Sequence, residues 1–183
     1  MADVIVIGDG PTGLSATLFL AKNDMKVSVF GEDETHLHKA YLYNYLGIKE
    51  IHGSDFVEIA REQVESFGAN LHEEKVVDVE STDDGFVVTT ESDDTYTSDY
   101  LVIATGFDRD LAEGLGVEFN DDGAIKVDRN CRTTAENVYA GGWSTRPDKI
   151  QAAISVGDGA TIGLDILSDV EGEPVHDFDT PPG

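Results

Sequence analysis

Asp3-Val4-Ile5-Val6-Ile7-Gly8-Asp9-Gly10-Pro11-Thr12-Gly13 decides the fold. The first five residues form an almost unbroken β-branched run closing on a glycine, the pattern of a strand buried on both faces of a parallel sheet. A glycine turn follows, and Pro11 suits the first position of a helix. In a G-x-G-x-x-G string between strand and helix, Gly8 permits the tight turn and Gly10 lets backbone approach a pyrophosphate. Gly13 lets the helix pack closely on the strand. The helix N-terminus adds unpaired N–H donors and partial positive charge, so the expected ligand is an anionic dinucleotide. Leu14, Leu18 and Ala21 recur at helical spacing as far as Lys22, and Lys26-Val27-Ser28-Val29-Phe30 reads as a second strand, completing a βαβ unit. Glu32 lies 19 residues beyond Gly13, near the spacing of about 20 expected for the acid that binds the adenosine ribose, with Asp33 in reserve. FAD and NAD(P) share this fingerprint, which leaves the choice between them open.

Beyond the βαβ unit, Ser54 opens a helix over Asp55 to Phe67 in which Phe56, Ile59, Ala60, Val64 and Phe67 share a face, with Gly68 as its stop. From Lys75 to Tyr100 the period changes to alternation. Strands at 76–79, 86–90 and 95–97 are separated by Asp83-Asp84-Gly85 and Ser92-Asp93-Asp94 turns, a small antiparallel meander. Tyr100 to Ala104 and Asn137 to Ala140 read as further buried parallel strands, and Gln151 to about Asp169 as the last helix. The fold class is therefore α/β, a Rossmann-like domain with a central parallel sheet and an antiparallel meander. The sequence shows no internal repeat, low-complexity stretch or linker, so residues 1–183 read as one domain, with 173–183 a loosely held tail rich in proline.

Composition narrows the function. The chain is 40% hydrophobic, enough for a sizeable core, and its apolar runs are far too short to cross a bilayer. Twelve Lys and Arg stand against 37 Asp and Glu, a formal net charge of −25, and a surface that negative repels nucleic acid and anionic lipid. The acids are dispersed, as in a protein adapted to concentrated salt, where a short Debye length relieves self-repulsion; a halophilic cytoplasm is the expected setting. Met1-Ala2-Asp3 lacks the basic start and long apolar stretch of a signal peptide, which also points to the cytoplasm. Cys131 is the single cysteine, which excludes an intrachain disulfide and a Cys-x-x-Cys redox pair.

Three blocks carry a family resemblance: DVIVIGDGPTGLSATLFLA at 3–21, LVIATGFD at 101–108 and VYAGGWSTRPDKIQAAISVGDGATIGLDIL at 138–167. In this order they resemble the FAD domain of the thioredoxin reductase family across nearly the whole chain, and the last block is characteristic of flavin sites. The resemblance implies FAD. That family normally inserts an NAD(P)H domain carrying the Cys-x-x-Cys pair between its A-T-G segment and its C-terminal flavin segment. Here only about 30 residues separate Gly106 from Val138, fewer than the about 50 an independent domain needs. The chain thus resembles a short single-domain form without the nicotinamide half.

Carried over residue by residue, the resemblance implies that Gly8, Gly10, Pro11, Thr12 and Gly13 hold the pyrophosphate and that Glu32 or its neighbour holds the adenosine ribose. Asn44 would lie near the ribityl chain or flavin, backbone around Val76 at the adenine edge, and Ala104-Thr105-Gly106 where the pyrophosphate and ribityl chain cross. Gly142, Gln151 and Ala152 would face the isoalloxazine, with the last helix stabilising negative charge on the reduced ring. Two departures stand out. Trp143 replaces the family's aspartate, removing a polar acceptor; it either stacks on the flavin or packs at a loop or dimer surface. Asp9 puts an acid into the phosphate turn, and its side chain is expected to point to solvent.

His36, His38, His52 and His72 read as solvated histidines rather than metal ligands, and Cys131, with no base near it in sequence, as a packed residue. Tyr41, Tyr43 and Tyr45 alternate, as on a strand face or a flavin-covering loop. No side chain stands out as a general acid, base or nucleophile. The expected function is an FAD-dependent oxidoreductase without thioredoxin reductase activity, its electron donor and acceptor external, with a redox protein as one candidate partner. The alternatives are a non-catalytic FAD-binding electron-relay subunit and an NAD(P)-binding Rossmann module. The family also pairs through its FAD domains, so a homodimer is expected.

Overall fold

In a computed structural model describing residues 3–181, Asp3–Ile7 forms β1, the middle strand of a five-stranded parallel sheet. The chain continues through α1 (Pro11–Lys22), β2 (Lys26–Gly31), the two-residue strands β3 (Tyr41–Leu42) and β4 (Ile51–His52), α2 (Gly53–Ser66) and β5 (Asn70–Glu73). Three antiparallel strands follow, β6 (Val76–Thr82), β7 (Gly85–Thr90) and β8 (Thr95–Ser98). Then come β9 (Tyr100–Ile103), the short α3 (Asp110–Gly114), β10 (Val138–Ala140) and α4 (Ala152–Glu171). The parallel sheet has the order β10-β9-β1-β2-β5. Strand order reverses at β1, which opens a crevice beyond the carboxyl ends of β1 and β9, where ligands of such folds bind.

Alternation within β1 builds a core on each face. Val4 and Val6 meet Leu14, Leu20, Ile162 and Ile166 on the helical side, while Ile5 and Ile7 meet Val79, Val88, Leu101 and Ile125 on the other. The result is three layers: helices, parallel sheet, antiparallel sheet. The stretch between α3 and β10 supplies Val117 and Ile125 to the second core, so its apolar side chains are buried within the chain itself.

The two long helices cross at small residues. A Cβ on Gly159 of α4 would stand 2.3 Å from the Thr12 carbonyl oxygen, and one on Gly163 would stand 2.7 Å from the Phe19 Cβ. Where α4 leaves the sheet, a polar clasp takes over. Asp165 accepts hydrogen bonds from Tyr139 Oη (3.0 Å), Asn130 Nδ2 (2.9 Å) and Arg132 Nε. Asp169 accepts from Tyr100 Oη (2.6 Å) and Arg132 Nη2 (3.0 Å). Beyond the helix, Val175 packs on the core and donates its N–H to Ser168 Oγ, and Lys22 Nζ pairs with Asp177 (2.6 Å) and Asp179 (2.7 Å). These contacts lie in the segment expected to be loosely held; its last residues, Pro182 and Gly183, are outside the described residues.

Elements the sequence reading omits are short or polar. Asn70-Leu71-His72-Glu73 has one aliphatic side chain, yet it pairs with β2 as an edge strand, and the His72 ring stacks on Phe30 with centroids 4.5 Å apart. β3 and β4 pair over two residues only. No helix among the described residues is long and apolar enough to cross a membrane.

Gly159→Val must push α1 and α4 apart, and it should lower unfolding free energy by about 1–3 kcal/mol in denaturant titration. The clasp sets two pH limits. Burial and the Asp169 hydrogen bond push Tyr100 up to about 12, and burial raises Tyr139 as well. Their contribution is complete below the usual phenol value of about 10 and is lost as pH climbs through the raised value. The Tyr100 and Arg132 hydrogen bonds hold Asp169 below its ordinary value, so its contribution is complete above that value and lost in stronger acid. Denaturant midpoints measured across pH should fall at these two ends.

Candidate functional site

The crevice beyond β1 and β9 is a cavity of about 650 Å³, within the size range of cofactor sites. Gly8, Gly10, Pro11 and Thr12 line it together with Ala104, Thr105 and Gly106 and with Gln151 and Ala152. Glu32, Val76, Asn44 and Trp143 line it as well. Thirteen of the fifteen sequence-predicted residues are thus brought together. Gly13 and Gly142 stay outside the lining and act through packing: a Cβ at Gly13 would overlap the Gly8 carbonyl, and one at Gly142 would stand 2.3 Å from Thr12 Oγ1.

Backbone geometry sets the turn. Gly8 has φ +110°, and a Cβ there would lie 2.3 Å from the Ala104 carbonyl oxygen, so β1 and β9 can close only around glycine. Gly10 is the N-cap of α1 with Pro11 behind it, and Gln151 is the N-cap of α4. Neither helix carries an acid in its first turn, although the chain is strongly acidic. Two helix N-termini with open amide donors therefore face one cavity, a strong setting for bound anionic groups. Asn44 Nδ2 donates to Gln151 Oε1 at 2.7 Å, joining side chains 107 residues apart.

Trp143 is half-buried on the cavity wall against Phe107, with the His36 ring centroid 5.0 Å from its own. Its indole Nε1 is sealed from solvent with no acceptor among the described residues, and Glu74 Oε2 on the same lining is sealed with no donor among them. Orphaned buried polar atoms are rare, and a polar ligand in the cavity is one way to satisfy them. The carboxylate serving the Gly142 turn is Asp158 of α4, which accepts the Gly142 N–H at 3.0 Å and grips Arg146 through both oxygens at 2.8 and 3.1 Å.

Asp9 overturns its expectation. Its side chain is buried, with 5% of the residue exposed, and Oδ2 accepts from Arg61 Nη1 (2.6 Å) and the Asp33 N–H (3.0 Å). A guanidinium 52 residues away draws the acid inward, because a buried carboxylate is tolerable when paired and hydrogen-bonded. Sequence reasoning missed Arg61, although it is the single cation on an otherwise acidic helix. It read His36 as a solvated histidine and did not single out Phe107, although both rings pack on Trp143.

Among the described residues no three His, Cys, Asp or Glu side chains converge as metal ligands. His38 instead faces Asp33, with Nε2 3.2 Å from its carboxylate. Cys131 is buried, and burial pushes its thiol up to about 12.

The profile of the family described as pyridine nucleotide-disulphide oxidoreductase matches residues 2–110 and 41–157. A CoA-dependent NAD(P)H sulfur oxidoreductase of Pyrococcus furiosus is 32% identical over 142 residues, 76% of this chain and 29% of the relative. A dihydrolipoyl dehydrogenase of Haloferax volcanii is 28% identical over 181 residues, covering 94% of this chain and 35% of the relative. The chain spans about a third of the length of these curated relatives. The crystal structure of an atypical thioredoxin reductase from Desulfovibrio vulgaris superposes with a TM-score of 0.86 at 20% identity, over 94% of this chain and 99% of that one, a likeness of fold.

Iodoacetamide at mildly alkaline pH should leave Cys131 unlabelled in the folded protein and label it once denaturant exposes it, as mass spectrometry would show.

Proposed function

The chain belongs to the pyridine nucleotide-disulphide oxidoreductase family, and from that premise we propose that it binds FAD in the cavity and serves as a flavoprotein oxidoreductase with separate electron donor and acceptor molecules. The observation that carries this reading is the convergence on one cavity of the Gly8–Gly13 turn and two helix N-termini with no acid in their first turns. The α1 terminus, with Gly8, Gly10, Pro11, Thr12 and the closely packed Gly13, would hold the pyrophosphate through backbone amides. Val76 would border the adenine, and Ala104, Thr105 and Gly106 the ribityl crossing. The bonded pair Asn44 and Gln151, with Ala152, Trp143 and the Gly142 turn, would border the ring system.

When bound, FAD supplies the one- and two-electron chemistry, and this chain's residues bind it, orient it and set its electrostatics. The positive end of α4 favours negative charge beside Gln151 and Ala152. Trp143, Phe107 and His36 limit water at that wall, and the Trp143 Nε1 donor is free for a polar atom of the ligand. Cys131 takes no part: its thiol stays protonated at neutral pH, and it has no second cysteine to pair with. Thioredoxin reductase activity, which needs that pair, is therefore not proposed for this chain.

Electrons would come from, and pass to, molecules this chain does not encode, a redox protein among them. Addition of NADH or NADPH to the FAD-loaded protein without oxygen separates the cases. Bleaching of the flavin means direct nicotinamide reduction, and persistence of its colour means a relay fed by another protein. The acidic surface and the likeness to a protein of the halophile Haloferax volcanii support a halophilic cytoplasmic setting. Exposed Tyr43, Leu46 and Ile150 support assembly as a homodimer, which sedimentation in high salt would test.

The protein should gain flavin absorbance when FAD is added in high salt; a protein that stays colourless refutes the reading. Gly10 has φ −79° and room for a Cβ, its nearest neighbour being 3.8 Å away. Gly10→Asp should therefore fold normally yet lose FAD affinity about tenfold or more through charge repulsion. Stability should also fall on dialysis into low salt, read as a lower melting temperature.

A further inference from the structure

Gly31 is the last residue of β2, at the strand end where an acid for the adenosine ribose belongs. It carries no side chain, and the space is taken. A Cβ built on Gly31 would lie 2.3 Å from Asp9 Cγ and 2.4 Å from Asp9 Oδ1. The acid of the phosphate turn thus reaches across to fill the strand-end position. Glu32, which follows in sequence, is solvent-exposed, and its carboxylate makes no hydrogen bond to a described residue.

Asp9 is held as a binding group should be. Arg61 and the Asp33 N–H both engage Oδ2, fixing the carboxylate, while Oδ1 receives no hydrogen bond from a described residue. Asp9, Gly31 and Glu32 all line the cavity. A group already immobilised by the fold loses little side-chain entropy on binding, whereas an exposed glutamate must give up its rotamer freedom. Arg61 also offsets the negative charge that Asp9 brings to a turn suited to phosphates, which explains how an acid is tolerated there.

We infer that Asp9, fixed by Arg61 and given room by Gly31, is the carboxylate that accepts the adenosine ribose hydroxyl, in place of Glu32. The inference rests on the flavin-nucleotide reading above. It assigns Asp9 a positioned acceptor atom, Oδ1, and Gly31 and Arg61 the roles that hold it there.

FAD and FMN test it, because FMN lacks the adenosine. Affinities are measured by flavin fluorescence titration in high salt, with thermal melts of each variant. The wild type should prefer FAD to FMN. Asp9→Asn should lose about ten- to a hundredfold in FAD affinity relative to FMN affinity, the value of one hydrogen bond to a charged group. Gly31→Ala keeps every charge but displaces the Asp9 carboxylate, and it should reduce the same preference even if Asp9→Asn folds poorly. An unchanged FAD preference in folded Asp9→Asn or Gly31→Ala overturns the inference while leaving the flavin reading standing. Loss of the preference in Glu32→Gln returns the role to that residue and overturns it equally. A wild type that binds neither flavin refutes the reading beneath it, and this inference with it.

Discussion

One close approach of backbone to backbone governs this molecule. The turn leaving β1 must pass so near the end of β9 that a side chain at Gly8 would strike the Ala104 carbonyl, and so near α4 that one at Gly159 would strike the Thr12 carbonyl. Glycine at each point lets three chain segments meet without intervening side chains. What remains at the surface of that junction is peptide groups and helix ends rather than aliphatic bulk. The crevice beyond β1 and β9 follows directly, with its polar amide lining and its bias toward anions.

Charge reinforces that bias by contrast. The chain has about three acids for each base, yet none sits in the first turn of α1 or α4. Three arginines sit where they matter structurally: Arg61 behind the turn, Arg132 in the clasp between α4 and the sheet, Arg146 on Asp158. Each ties a carboxylate from one element to a cation on another, and Asp9, Asp158 and Asp165 lie largely out of water. Such pairs serve geometry more than net stability, since taking both charges from solvent consumes much of their attraction.

Much of this was legible in the sequence because period and punctuation agree. The β-branched run to Ile7, the proline at the start of α1 and the helical spacing of α1 all point to a βαβ unit, and the structure follows them residue by residue. The cavity was legible for the same reason: glycines mark where backbone must come close. Three things were not. β5 owes its strand state to pairing with β2 and to His72 lying on Phe30, neither of which four mostly polar residues can announce. The inward turn of Asp9 depends on an arginine brought near only by folding. Trp143 against Phe107 and His36 joins three distant segments, and only the tertiary fold brings them together.

The stretch between Gly106 and β10 covers part of the second core with Val117 and Ile125, then doubles back through a tight turn at Asn120 to Gly123. Phe119 and Ile125 pair across the base of that turn, while Asp121, Asp122 and Gly123 stand in solvent. Chain entering and leaving the tip is therefore side by side, none of Asn120 to Gly123 lines the crevice, and Asp121 to Gly123 carry no core side chain. Such a tip is a natural graft point, where a folded module could be spliced in or excised while the layers beneath kept their register.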